Sequence, residues 1–139
     1  DLTPAQLEAH KADLPPTVFK RCRYIVGEHH RTLAMLSALS DGDAQKAGKL
    51  LNMTHMGLSL DYEVSCPEIE FFFRQALAHP DVYGARIMGG GFGGCTLNLV
   101  KKESLHSFVD HAISSYKEEF GITPEYLPVR LMDGVSIVG

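Results

Sequence analysis

Residues Gly89 to Gly94 read Gly-Gly-Gly-Phe-Gly-Gly, inside the stretch "GARIMGGGFGGCTLNLV" that runs from Gly84 to Val100. Two phosphate-binding chemistries use runs of this kind. Gly89, Gly91 and Gly94 satisfy G-x-G-x-x-G, in which bare backbone lets a pyrophosphate reach a helix N-terminus. That chemistry requires a helix directly after the glycines, but Cys95 to Val100 alternate as a strand does. Gly89 to Thr96 also nearly fits G-x-x-x-x-G-K-[ST]. Cys95 stands at the lysine position, and a neutral thiol cannot supply the charge that the phosphates need. What remains is a glycine-rich loop between two strands. A short hairpin needs only one or two glycines at positive φ. Five glycines exceed that need. The surplus points to something that approaches too closely for a Cβ: a phosphate, a substrate, or another segment of backbone.

The other reactive side chains carry weaker signals. Glu63 and Glu68 have the look of paired acid–base carboxylates, but Glu68 also completes a capping box with Ser65. Cys66 and Cys95 have no neighbouring pattern for a base and read as small buried packing residues. His29 and His30 are adjacent, so on a helix they point roughly 100° apart and make poor joint metal ligands. Hydrogen bonding in a core or between helices is the expected role for His29. His55 is expected to hold its helix by a hydrogen bond. No metal site is assigned, and no catalytic residue.

These residues need elements to position them. Thr3-Pro4-Ala5-Gln6 has a capping-box shape with proline at the first helical position. After Pro15-Pro16 the residues Val18, Cys22, Ile25, His29, Leu33, Leu36 and Leu39 recur three or four apart, which predicts one face of a long helix ending at Asp41-Gly42. Gly27 within it predicts close helix packing. A second helix from about Asp43 carries Ala47, Leu50, Leu51, Thr54 and Leu58. Met53, Met56 and Leu60 widen its apolar face and predict cover on more than one side. Ser65-Cys66-Pro67-Glu68 opens a third helix, with Ile69, Phe72, Phe73, Ala76 and Leu77, which stops before Pro80. Phe71, Phe72 and Phe73 are consecutive and cannot all face one core, so one of them is expected to meet a partner.

The second half of the chain changes period. Tyr83, Ala85 and Ile87 alternate with Gly84, Arg86 and Met88, and after the glycines Cys95, Leu97 and Leu99 alternate with Thr96, Asn98 and Val100. A helix follows from about Glu103 to Phe120, with Leu105, Phe108, Val109, Ala112, Ile113 and Tyr116 on one side and Gly121 as its stop. Leu127, Val129 and Leu131 then alternate, Asp133-Gly134 reads as a hairpin turn, and Val135 and Ile137 return. Helices first, then strand-loop-strand-helix-strand, make an α+β domain: an antiparallel sheet with helices packed on one face. Residues 1–139 read as a single domain.

Composition limits the function classes. The chain has 139 residues, 45% apolar and 22% charged, with a formal net charge of −4. Its densest basic groups are the pairs Lys20-Arg21 and Lys101-Lys102, so nucleic acid has no electrostatic footprint. No apolar run approaches a membrane span. Three scattered cysteines argue against a disulfide framework and fit a reducing, cytoplasmic setting. The sequence begins at Asp1, which reads as a processed chain or one cut from something longer.

Three stretches together carry a family resemblance. "GARIMGGGFGGCTLNLV" resembles the third motif of the GHMP small-molecule kinases in its galactokinase form. "NMTHMGLSLDYEVSCPEIE", from Asn52 to Glu70, resembles a second galactokinase block through Asn52, His55, Leu58, Asp61 and the run Tyr62 to Glu68. "FKRCRYIVGEHHRT", from Phe19 to Thr32, echoes a third. The resemblance runs from about Val18 to the end. It departs at Ile87-Met88, where family members commonly have Met-Thr. The short "VGEHH" at Val26 to His30 only superficially echoes the family's sugar-binding motif, because the preceding arginine and asparagine are absent.

The resemblance implies a ferredoxin-like GHMP kinase C-terminal domain. It implies transfer of the γ-phosphoryl of ATP to the anomeric hydroxyl of galactose with magnesium. The family's phosphate loop, sugar-binding motif and catalytic acid belong to an N-terminal lobe, which would be this chain's partner and would bind most of the ATP and Mg. Gly89, Gly90, Gly91, Phe92, Gly93 and Gly94 would line the cleft beside that lobe. The sugar stays open, with N-acetylgalactosamine or arabinose as alternatives to galactose. A kinase-like sensor without catalysis and a free-standing interaction module are also open. This chain alone is expected to be inactive.

Overall fold

The computed structural model describes residues 2–129 of the chain. In order these form α1 (Pro4–Ala9), α2 (Pro16–Ser40), α3 (Ala44–Leu60), α4 (Pro67–Ala78), β1 (Val82–Met88), β2 (Cys95–Val100) and α5 (Leu105–Phe120). Single 3-10 turns at Lys11–Asp13 and Lys102–Ser104 lead into α2 and α5.

Local chemistry explains most of the boundaries. The Thr3 hydroxyl accepts the Gln6 N–H at 3.2 Å while the Gln6 side chain accepts the Thr3 N–H at 2.8 Å, which is the expected capping box. Asp43 caps α3 by accepting the Lys46 N–H at 2.9 Å. Gly121 stops α5 in the left-handed conformation, φ 70°. The capping box expected at Ser65 and Glu68 does not form. Cys66 is the N-cap of α4 and makes no side-chain cap bond, and the buried Ser65 Oγ caps nothing, lying beside the Glu70 carboxylate without the alignment of a hydrogen bond. The Glu68 carboxylate turns to its own backbone N–H and to Cys66, which hold it below the usual carboxylate range.

β1 and β2 form an antiparallel hairpin, with Ala85 opposite Asn98, Arg86 opposite Leu97 and Ile87 opposite Thr96. Ala85 packs with Phe73 and Ala76 of α4 and with Phe108 and Ala112 of α5, so these two helices cover one sheet face. The α+β class and the antiparallel sheet hold. The register adds a point that alternation alone does not reveal. Partners across an antiparallel pair share a face. Leu97 and Leu99, paired with Arg86 and Gly84, therefore lie on the face away from Ala85 and Ile87. There Leu99 lines a cavity of about 200 Å³ with Ala38, Leu39, Ala44 and Ala47. Leu127 and Val129 are exposed and pair with no described strand. The strand at Leu131, the turn at Asp133-Gly134 and the return at Val135 and Ile137 lie outside the described residues.

Three expectations about burial fail. Val18, Ile25, Leu33, Leu36 and Leu39 of α2 are exposed, and Phe19, Tyr24 and Ala38 are buried instead. The large apolar residues set the periodicity, whereas α2 packs on α3 through a ring against a glycine: a Cβ at Gly57 would meet the Tyr24 ring at 2.4 Å. Arg31 lies over Gly27, so that glycine makes room for a guanidinium and not for another helix. His29 and His30 are both exposed and meet only edge to edge, 5.8 Å between centroids. Met53, Met56 and Leu60 of α3 are likewise exposed, with no second cover among the described residues. The three consecutive phenylalanines all find ring neighbours among the described residues. Phe71 and Phe73 are buried, and Phe72 stacks on Tyr116 at 4.5 Å and 8°. The α5 aromatics Tyr116 and Phe120 reach round to take the sides that α4 cannot bury alone.

Candidate functional site

The glycine loop is held from outside, by residues of the Asn52–Glu70 stretch. Three α3 residues at i, i+4 and i+7 contact β1 in step. Gly48 sits so close that a Cβ there would lie 2.1 Å from the Tyr83 carbonyl oxygen, and one at Gly84 would lie 2.0 Å from the Gly48 oxygen. Asn52 Oδ1 accepts the Ala85 N–H at 2.8 Å. His55 Nδ1 accepts the Ile87 N–H at 3.2 Å. A helix face with 3.6 residues per turn thus matches alternate strand amides, and α3 closes the edge of β1 that β2 leaves open.

His55 is fully buried, its ring 3.8 Å from that of Phe73. Because Nδ1 accepts from Ile87, the imidazole proton sits on Nε2. Nε2 faces the Glu70 carboxylate at 3.3 Å, without the alignment of a hydrogen bond. Burial pushes His55 below its ordinary value, and Glu70 pulls it back only in part. For Glu70 burial works upward, but the Ser65 and Ser59 hydroxyls and His55 around it outweigh this and hold it low. His55 is therefore a neutral anchor for the strand that enters the loop, as expected of a hydrogen-bonding histidine. The role of Asn52 was missed. The available signal was Gly48, Asn52 and His55 at helical spacing, a small and polar face inside an apolar pattern.

The loop itself docks at one point. The Phe92 N–H donates to the Val64 carbonyl at 2.7 Å, and a Cβ at Gly91 would lie 2.5 Å from that oxygen. Gly91 also has φ +90°, which L side chains rarely adopt. Of the three close approaches suggested by the surplus of glycine, the one at Gly91 is protein backbone. Gly89, Gly93 and Gly94 also have positive φ. Gly90 has neither a positive φ nor any atom within 4 Å of a Cβ. Its lack of a side chain has no reason within the described residues.

The segment that carries Val64 is fixed electrostatically. Glu63 adopts φ 63° and meets Lys20 at 2.9 Å and Arg21 at 3.5 Å, while Arg23 holds Asp61 at 3.0 Å. Lys20 keeps the Glu63 carboxyl below its usual value, which suits a brace and not a general acid. Glu28, from the "VGEHH" echo, accepts the Thr54 hydroxyl at 2.9 Å and pairs with Arg31 at 2.6 Å, in the contact between α2 and α3. Cys95 is exposed and Cys66 half-buried, against the expectation of two buried packers; Cys95 stands where the hairpin leaves the sheet, and Cys66 beside the loop. A cavity of about 250 Å³ opens between the loop and the start of α4, lined by Cys66, Glu68, Ile69, Phe72, Phe92 and Tyr116.

Nothing gathered here fits magnesium or a nucleotide without help. Among the described residues no three His, Cys, Asp or Glu side chains come together to hold a metal. The loop offers bare backbone but no cationic side chain, and the nearest cavity presents Glu68, an acid. No described helix is long and apolar enough to cross a membrane.

The glycine stretch and the Asn52–Glu70 stretch are thus one unit, a loop and its cradle, on an α+β frame. A family model described as GHMP kinases C terminal matches residues 35–118, which spans α3, the cradle, the hairpin and most of α5. The chain belongs to the GHMP kinase C-terminal family. Among curated GHMP relatives, a galactokinase of Roseiflexus is 38% identical over 99% of this chain and 35% of its own length. A human galactokinase is 39% identical over 96% of this chain and 33% of its own. The crystal structure of Lactococcus lactis galactokinase complexed with galactose superposes with a TM-score of 0.81 at 33% identity, over 88% of this chain and 32% of that one. Leishmania mevalonate kinase shares the fold alone, at a TM-score of 0.57 and 20% identity. This GHMP domain spans about a third of the length of the galactokinases it matches.

Proposed function

We propose that this chain is the C-terminal lobe of a galactokinase, and that the intact protein transfers the γ-phosphoryl of ATP to the anomeric hydroxyl of galactose with magnesium. The observation that carries this reading is the run of galactokinase relatives at 36–39% identity, several spanning nearly the whole chain. The remaining two thirds of the parent would supply the phosphate loop, the sugar contacts and the catalytic groups. This lobe contributes the loop Gly89 to Gly94 as a cleft wall. Phosphoryl transfer depends on positioning and electrostatic stabilisation, and a loop with few side chains lets reacting groups come close while its amides face them. Gly90 is the residue of the loop most directly explained by such a neighbour. An enzyme of sugar metabolism acting in the cytoplasm fits the reduced, scattered cysteines.

The test is a phosphorylation assay on the intact parent and on this chain alone, each with ATP, magnesium and galactose. The parent is expected to release galactose 1-phosphate and this chain none. Turnover by this chain alone, or a parent that phosphorylates N-acetylgalactosamine or arabinose but not galactose, would overturn the reading. A parent that binds ATP and galactose without turnover would mark the sensor class.

A further inference from the structure

Phe92 is the one side chain in the glycine loop, and this domain uses it poorly. Its backbone sits at φ 61°, in the left-handed region that a bulky residue adopts only under constraint. The residue is 76% exposed. Glycine at this position would relieve the backbone, keep the N–H bond to Val64, and complete a run of six. A strained, exposed aromatic in a loop otherwise stripped of side chains has its packing partner elsewhere. Phe92 lines the same cavity as Ile69 and the stacked pair Phe72 and Tyr116. Phe92 and that stack thus line one open slot among the described residues.

We infer that the slot between Phe92 and the Phe72–Tyr116 stack is the seat for an apolar side chain from the other two thirds of the parent kinase, with Phe92 as the anchor of that contact. The occupant follows from length and charge. This chain spans about a third of its relatives, so a parent has a large body of protein to place. The exposed Glu68 carboxylate lines the same slot, so a hydrogen-bond donor or cation beside the entering apolar residue would complement it. The cradle at Val64 keeps the ring presented, since the bond to Val64 fixes the backbone that carries it. This inference rests on the proposed two-part kinase and names the contact that joins its parts.

The experiment compares F92G, F92L and the unaltered intact parent, without ligands, by hydrogen exchange of the peptides covering residues 64–72 and 89–96. F92G is expected to speed exchange in both peptides about tenfold, as loss of an interface anchor does, and to lower kcat/KM for ATP and for sugar together. F92L, which keeps an apolar body, should return exchange to within about threefold of the parent. Unchanged exchange in F92G overturns the inference. So does a loss confined to the KM for sugar, which would make Phe92 a sugar-stacking face, or protection that appears only with rising protein concentration, which would mark a second copy. If F92G loosens exchange throughout the protein, F92L decides: no recovery in the two peptides overturns the inference. The exchange readout needs no activity, so it stands even if the parent proves not to phosphorylate galactose.

Discussion

The Ile87 amide donates to Nδ1 of the buried His55 at 3.2 Å, so a helix side chain stands where a third strand would pair with β1. The same histidine touches α4 through Phe73 and Glu70. One ring therefore ties three elements together two residues before the loop begins, and its loss should be felt in stability first.

H55L in this chain removes the acceptor for a buried N–H while keeping most of the volume. An unsatisfied buried donor costs about 1–3 kcal/mol. Urea denaturation should show that loss, with an unchanged slope. A variant as stable as the parent chain would show that water reaches the Ile87 amide.

The same site makes stability depend on pH. Burial holds His55 below its ordinary value, so the unfolded chain accepts a proton that the folded chain refuses. Its contribution is complete above about pH 6.5, the unfolded value, and falls as pH drops toward the folded value. Denaturation midpoints measured from pH 7.5 downward should decline through that window in the parent chain, and the decline should be shallower in H55Q.

Gly48 and Gly84 should each reject even one methyl group. A Cβ at either would lie close to 2 Å from a backbone atom of the other strand or helix, and backbone cannot swing aside as a side chain can. G48A and G84A are each expected to cost more than about 1–3 kcal/mol, the usual range for overpacking. Thermal melts of this chain would check it.

Two glycines of the loop should part company. G91V strikes the Val64 carbonyl and forces a β-branched residue to φ +90°, so it should destabilise this chain itself. G90A meets nothing and keeps an ordinary φ, so this chain should stay within about 0.5 kcal/mol of its parent. In the intact protein, however, G90A should lower kcat/KM about tenfold if a ligand or the other lobe comes within reach of that Cβ. Equal activity would remove the main reason for placing Gly90 at a cleft.

Much of this was legible in the sequence, for identifiable reasons. Helix limits followed from Thr3, Asp43 and Gly121, because caps are local chemistry read from a few neighbouring residues. The hairpin followed from period-two alternation on both sides of the glycines. The burial of α2 was misread because hydrophobic spacing weighs size, whereas the contact with α3 selects a ring over Gly57. The Ser65–Glu68 box was misplaced because the Glu68 carboxylate turns to its own N–H and to Cys66, away from Ser65. Asn52 was missed because its partner, the Ala85 amide, is set by tertiary register, which no local pattern states. At the loop, the sequence indicated an excess of glycine but not its division between contact with Val64 at Gly91 and open space at Gly90.

The contact between Gly48 and Gly84 also constrains how the sequence can vary. The two positions lie 36 residues apart; a Cβ at Gly84 would strike the Gly48 backbone, and one at Gly48 would strike the Tyr83 carbonyl next to Gly84. Neither can change first, because a Cβ on one side gains nothing from a change on the other. Compensation would require the whole of α3 to lift from β1, which would also pull Asn52 and His55 off their amides. Single mutational steps out of this arrangement are closed, and the pair should stay fixed as glycine wherever this helix lies against this strand.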